Sequence, residues 1–146
     1  MLEKQHEFQK RNRKNQTRLP KIFGMNKLIK RILFVDDDKI QHMINKKNML
    51  RLRPDLELFF FENPYLALDW LATNEADLLM LDVNMPEMNG WEFLDELNKL
   101  KILIDVKMLT SSLDPDDIEN SMGYTQISGF LIKPLQNEVI SDILGL

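Results

Sequence analysis

The chain has 146 residues, of which 44% are hydrophobic and 29% charged, with a formal net charge of −4 and no cysteine. That length fits one domain around a single core, and the composition is that of a folded globular protein rather than a disordered chain. The lack of cysteine excludes disulfide frameworks, thiolate metal sites and cysteine nucleophiles. No apolar run approaches the roughly 20 residues of a membrane span, and the N-terminus lacks a signal-peptide core, so a cytoplasmic location with no membrane partner is expected.

Residues 1–24 are polar and carry seven basic residues (Lys4, Lys10, Arg11, Arg13, Lys14, Arg18 and Lys21) against Glu3 and Glu7. They read as a basic, flexible extension preceding a domain over 25–146. That domain is acidic, which argues against its surface being a nucleic-acid platform. From Arg31 onward, short apolar runs alternate with longer amphipathic stretches. The runs Ile32–Val35, Leu56–Phe61, Leu78–Leu81, Val106–Leu109 and Gly129–Ile132 mostly lack polar alternation, as expected of parallel strands covered on both faces. Helices are predicted over 39–52, 64–73, 90–100, 114–121 and 135–144. Asn63-Pro64 and Asp114-Pro115 each place a capping side chain before a proline at the first helical position. Five strand–helix repeats predict a doubly wound α/β domain with a five-stranded parallel sheet and five helices.

In such a sheet ligands bind at the carboxyl ends of the strands, near the point where strand order reverses. The first strand ends in Asp36-Asp37-Asp38, the third in Asp82-Val83-Asn84, the fourth in Thr110-Ser111 and the fifth in Lys133-Pro134. Any one of these alone reads as a turn, a cap or a surface charge. Four together, each at a strand end, read as one site. Clustered carboxylates require a cation, and oxygen-only donors suit Mg²⁺. An Asp carboxylate can act as nucleophile toward phosphorus, with positioning and charge neutralisation carrying the catalysis. Lys133 would supply positive charge and Thr110 a hydrogen bond.

The motifs Asp36-Asp37, Asp82 followed by Asn84-Met85-Pro86-Glu87-Met88-Asn89-Gly90, Thr110-Ser111 and Lys133-Pro134 resemble the receiver domain of two-component response regulators over residues 29–146, in particular stand-alone, chemotaxis-regulator-like receivers. The resemblance implies a flavodoxin-like receiver fold and Mg²⁺-dependent phosphorylation of Asp82 by a histidine kinase or histidine phosphotransfer protein. It further implies that Asp37, Asp82 and the backbone carbonyl of Asn84 hold the Mg²⁺, with Asp36 acting through water. Thr110 and Lys133 would contact the phosphoryl group, Thr110 and Phe130 would form the switch, and the Lys133-Pro134 bond would be cis. Output is expected through a separate protein partner rather than through enzymatic turnover by this chain.

Two departures stand out: Asp38 extends the acid pair, and the loop 122–128 differs from the family's usual turn. A haloacid-dehalogenase-like phosphatase would also use an Asp-x-Asp run. It would leave the Asp82 motif unexplained, and no paired acids follow Lys133. Phe59-Phe60-Phe61, Trp70 and most of the nine methionines read as packing residues, and His6 and His42 as surface residues.

Overall fold

The computed structural model describes residues 28–146, so the extension assigned to residues 1–24 lies outside the described residues. Five strands, β1 (Arg31–Val35), β2 (Glu57–Phe61), β3 (Leu78–Asp82), β4 (Asp105–Thr110) and β5 (Ile127–Ile132), alternate with five helices. These are α1 (Lys39–Leu52), α2 (Pro64–Thr73), α3 (Gly90–Lys99), α4 (Pro115–Ser121) and α5 (Asn137–Leu144). The strands form one parallel sheet in the order β2-β1-β3-β4-β5. This is the doubly wound arrangement that the alternating pattern predicts.

Alternate residues of the central strands feed two cores. Leu33, Val35, Leu79, Leu81, Val106 and Met108 pack beneath α2, α3 and α4 with Ala67, Leu71, Phe93, Leu97 and Ile118. On the opposite face Ile32, Phe34, Leu78, Met80 and Leu109 meet Met49 of α1 and Ile140 and Leu144 of α5. Burial on both faces is why β1 and β3 read as unbroken apolar runs.

Both capping expectations hold. The Asn63 carboxamide oxygen accepts from the N–H groups of Tyr65 and Leu66, and Asp114 accepts from Asp116, each ahead of a proline. The strand bounds differ by one or two residues. The Leu56 N–H turns back to the Arg53 carbonyl, so β2 starts only where Glu57 N–H reaches Lys30. A register shift at Val106/Lys107 lets Ile127 pair ahead of Gly129, which lengthens β5.

The aromatic and methionine packing also agrees with the sequence. Phe60 stacks on Phe34, Phe59 meets Trp70, and Met49, Met80, Met85, Met88 and Met108 are buried. The Arg31 guanidinium lies 4.8 Å from the centre of the Phe59 ring.

Gly90 begins α3 directly behind the site. A Cβ there would lie 2.7 Å from the Asp82 carbonyl oxygen and 2.8 Å from Met108 Cε. Because one of those atoms is backbone, Gly90→Ala must push α3 off the end of β3. A loss of about 1–3 kcal/mol is expected from such overpacking. Chemical denaturation reads it, and an unchanged midpoint would show that the helix start gives way freely.

Candidate functional site

The point where strand order reverses lies between β1 and β3, and both strands end there in carboxylates. Asp36 and Asp82 are buried and Asp37 is exposed, and one carboxylate oxygen from each lies within 4.8 Å of the others. Asp37, Asp38, Lys39, Ile40, Asp82, Asn84, Ser111 and Lys133 line an open cleft of about 600 Å³ above them. The β1–α1, β3–α3, β4–α4 and β5–α5 loops thus converge, as the four strand-end motifs predict.

Lys133 enters from the end of β5, its Nζ 3.1 Å from Asp36 Oδ2 and 3.4 Å from Asp82 Oδ1. Its peptide bond to Pro134 is cis, as expected. Burial works against the ammonium, but the hydrogen bonds and charges of Asp36 and Asp82 outweigh it and hold the Lys133 pKa above the ordinary lysine value. The Asp82 carboxyl is pushed up to about 7, first by burial and then by the charge of Asp36, while Lys133 and the Asn84 N–H pull the other way. The Asn84 N–H donates to Asp82 Oδ1 at 3.3 Å. The site therefore holds more negative charge than one ammonium neutralises, and all of its clustered donors are oxygen. That donor set fits a hard divalent cation such as Mg²⁺.

Asp36 is fixed from every side. Its N–H donates to the Phe61 carbonyl at 3.1 Å, and its Oδ1 accepts from the Asp38 N–H at 3.0 Å. Its own carbonyl lies 2.7 Å from His42 Nε2. His42 is thus only 8% exposed, against the expectation of a surface residue. It shares the inner face of α1 with Asn45 and Met49, a buried stripe that is two-thirds polar and that hydrophobic periodicity therefore does not mark. Asp38 has a plain structural role: it caps α1, accepting from the N–H groups of Ile40 and Gln41.

Thr110 is buried at the end of β4. Its hydroxyl donates to the Ser112 carbonyl at 2.8 Å and accepts the Ser112 N–H at 3.2 Å, while Ser111 lines the cleft. Phe130 is buried too, edge-on to Trp91 of α3 with ring centres 6.3 Å apart. The unusual loop 122–128 is tied to α3, the Tyr124 hydroxyl donating to Asp95 at 2.8 Å and Gln126 to Asn98 at 2.9 Å.

The family model of the response regulator receiver domain matches residues 32–144. The chain belongs to this family. The receiver shares 29% identity over 72% of its length with the cyclic di-GMP phosphodiesterase response regulator RpfG of Xanthomonas campestris, covering 28% of that protein. It is also 29% identical, over 78% of its length, to the transcriptional regulatory protein MalR of Bacillus subtilis, covering 48% of it. The receiver therefore spans less than half the length of these two relatives. Among solved structures, a two-component response regulator from Legionella pneumophila superposes with a TM-score of 0.72 at 27% identity, covering 80% of this chain and 95% of that one. The chemotaxis protein CheY4 of Vibrio cholerae superposes with a TM-score of 0.67 at 25% identity, covering 80% and 97%. Family membership places the receiver in phospho-accepting two-component signalling. Among the described residues, no helix is long and apolar enough to cross a membrane.

Proposed function

We propose that Asp82 is the phosphoacceptor of a Mg²⁺-dependent transfer from a histidine kinase or histidine phosphotransfer protein, and that the phosphorylated receiver changes its affinity for a protein partner. The observation that carries this reading is the placement of the Asp82 carboxylate at the end of β3, clustered with Asp36 and Asp37 and 3.4 Å from Lys133 Nζ, below an open cleft. An Asp82 oxygen would attack phosphorus as the bond to the donor nitrogen breaks, leaving an acyl phosphate on Asp82 and the proton-bearing imidazole on the donor. Asp37, Asp82 and the Asn84 carbonyl would hold the metal, with Asp36 acting through water. Bound there, Mg²⁺ supplies positive charge between two anionic reactants. Lys133 would neutralise a phosphoryl oxygen, and Thr110 would donate to another once its hydroxyl leaves Ser112.

The test is intact-mass measurement after incubation with a small phosphodonor, with Mg²⁺ and with chelator. One phosphoryl group is expected with the metal and none without it. No addition in either case would sink the reading.

The partner is proposed to dock on the face of α4, β5 and α5, where Met122 is 46% and Ile132 54% exposed. Thr110 and Phe130 would couple the pocket to that face. Coupling between linked sites is typically about 1–3 kcal/mol. Thr110→Ala and Phe130→Ala should still be phosphorylated yet lose most of the affinity difference between phosphorylated and unphosphorylated forms. Full retention of that difference in both variants would refute this switch.

A further inference from the structure

We infer that His42 is a positioning residue, holding the acidic turn Asp36–Asp38 in register with Asp82 through one hydrogen bond to the Asp36 carbonyl. Its bearing on phosphoryl uptake rests on the function proposed above; its bearing on the turn does not.

Two strands and a helix meet at this imidazole. Phe34 and Phe60 are register partners on β1 and β2, stacked with ring centres 4.8 Å apart. The His42 ring stands edge-on to Phe60 at 5.1 Å. A carbonyl oxygen can only accept, so the 2.7 Å contact puts a ring hydrogen on Nε2, and in the neutral tautomer that satisfies it Nδ1 carries the lone pair. Nδ1 is itself buried and has no hydrogen-bond partner among the described residues, and the same holds for Asn45 Oδ1 one turn further on. The Asp36 carbonyl is thus the polar contact that holds the ring.

A buried polar ring satisfied at one nitrogen is a costly choice for the inner face of a helix, where a leucine would pack without an orphaned atom. What the imidazole adds is a rigid donor aimed at the first residue of the acidic turn. Asp36 is where the turn's constraints meet. Its Oδ1 holds the Asp38 N–H, its Oδ2 faces Lys133, and its peptide leads directly into Asp37. Rotation of the Asp36 carbonyl would swing the following peptide and carry the Asp37 carboxylate with it. Outer partners that orient metal-binding groups are worth about 10–100-fold in affinity or activity.

The experiment uses the full chain in three forms: the parent, His42→Leu, which keeps bulk without a donor, and His42→Gln, whose amide nitrogen can reach the same carbonyl. His42→Leu should weaken Mg²⁺ binding by about tenfold or more. Its rate of phosphoryl uptake should fall in parallel, and in metal-free protein its Asp38 amide hydrogen should exchange faster. His42→Gln should recover most of all three. A purely structural role would shift melting temperature in both variants without separating them at the turn.

His42→Leu within twofold of the parent in Mg²⁺ affinity and amide exchange overturns the inference, as does a His42→Gln variant no better than His42→Leu. Nitrogen-15 spectra of the parent imidazole give a check that needs no variant: a hydrogen on Nδ1 instead of Nε2 overturns it. If the parent takes up no phosphoryl group while Asp38 exchange still follows the residue at position 42, the positioning role stands and the phosphoacceptor reading falls.

Discussion

Asp82→Asn is expected to abolish phosphoryl uptake and also to remove a pH-dependent fall in the stability of the metal-free protein. The first effect follows because an amide offers no nucleophilic carboxylate oxygen, and intact-mass measurement should show no added phosphoryl group. The second follows from the raised pKa of Asp82, pushed up to about 7 by burial and by the charge of Asp36. In the unfolded chain the same carboxyl titrates near about 3.9. Between those values the folded state holds a proton that the unfolded state has lost. Stability from this group is therefore fully present below about pH 4, declines as pH rises toward about 7, and is flat above. Asn cannot ionise, so urea titrations across that window should show a shallower decline in the variant than in the parent. Labelling of the variant at the parental level would show that another residue accepts the phosphoryl group. An undiminished pH slope would show that Asp82 is not the group being forced to ionise.

The place of the candidate site was legible in sequence because its residues stand where parallel strands end, and strands buried on both faces announce their ends. Leu78–Leu81 is an apolar run broken by Asp82, and Ile32–Val35 one broken by Asp36. Once five such runs alternate with helices, the topology brings the first and third ends together whatever the surface sequence.

Other features were not legible because they depend on distant partners. The inner face of α1 carries His42 and Asn45 where a simple amphipathic pattern would have apolar residues, so hydrophobic periodicity does not mark His42 as facing inward. Its ring packs edge-on to Phe60 of β2, which is itself stacked on Phe34 of β1, so two strands distant in sequence set its surroundings. The extended acid run was equally ambiguous, since Asp37 at the cleft and Asp38 at the helix cap are adjacent and chemically identical. The loop 122–128 departs from the family's usual turn, yet its Tyr124 and Gln126 reach Asp95 and Asn98 on α3, a pairing that no local rule supplies.

Lys133→Met should expose how much of the pocket's order depends on a single ammonium. The side chain is only 15% exposed and is shared between Asp36 and Asp82, whose own side chains are 2% and 5% exposed. Removing one partner of a buried ion pair leaves uncompensated charge, at a cost of about 3–5 kcal/mol. Residual water contact at Lys133 places the expected loss near the lower end, about 3 kcal/mol, when Asp82 is ionised. Methionine preserves most of the stem's packing, so the loss reports mainly on charge. The cost must depend on pH. Well below about 7, Asp82 holds its proton and no longer needs the ammonium, so the substitution should cost less, what remains being the loss of the contact with Asp36. As pH rises past that value Asp82 ionises in the parent and the cost grows, because the variant, lacking the ammonium that lowers the Asp82 pKa, must ionise it unaided. Phosphoryl uptake should slow by about a hundredfold, the usual scale for losing one preorganised charge-stabilising donor. Denaturant titrations of parent and variant on both sides of pH 7, in chelator, separate these contributions. An equal loss at both pH values would mean that Lys133 packs against the cleft wall without neutralising Asp82, and an uptake rate matching the parent's would remove it from the transfer step.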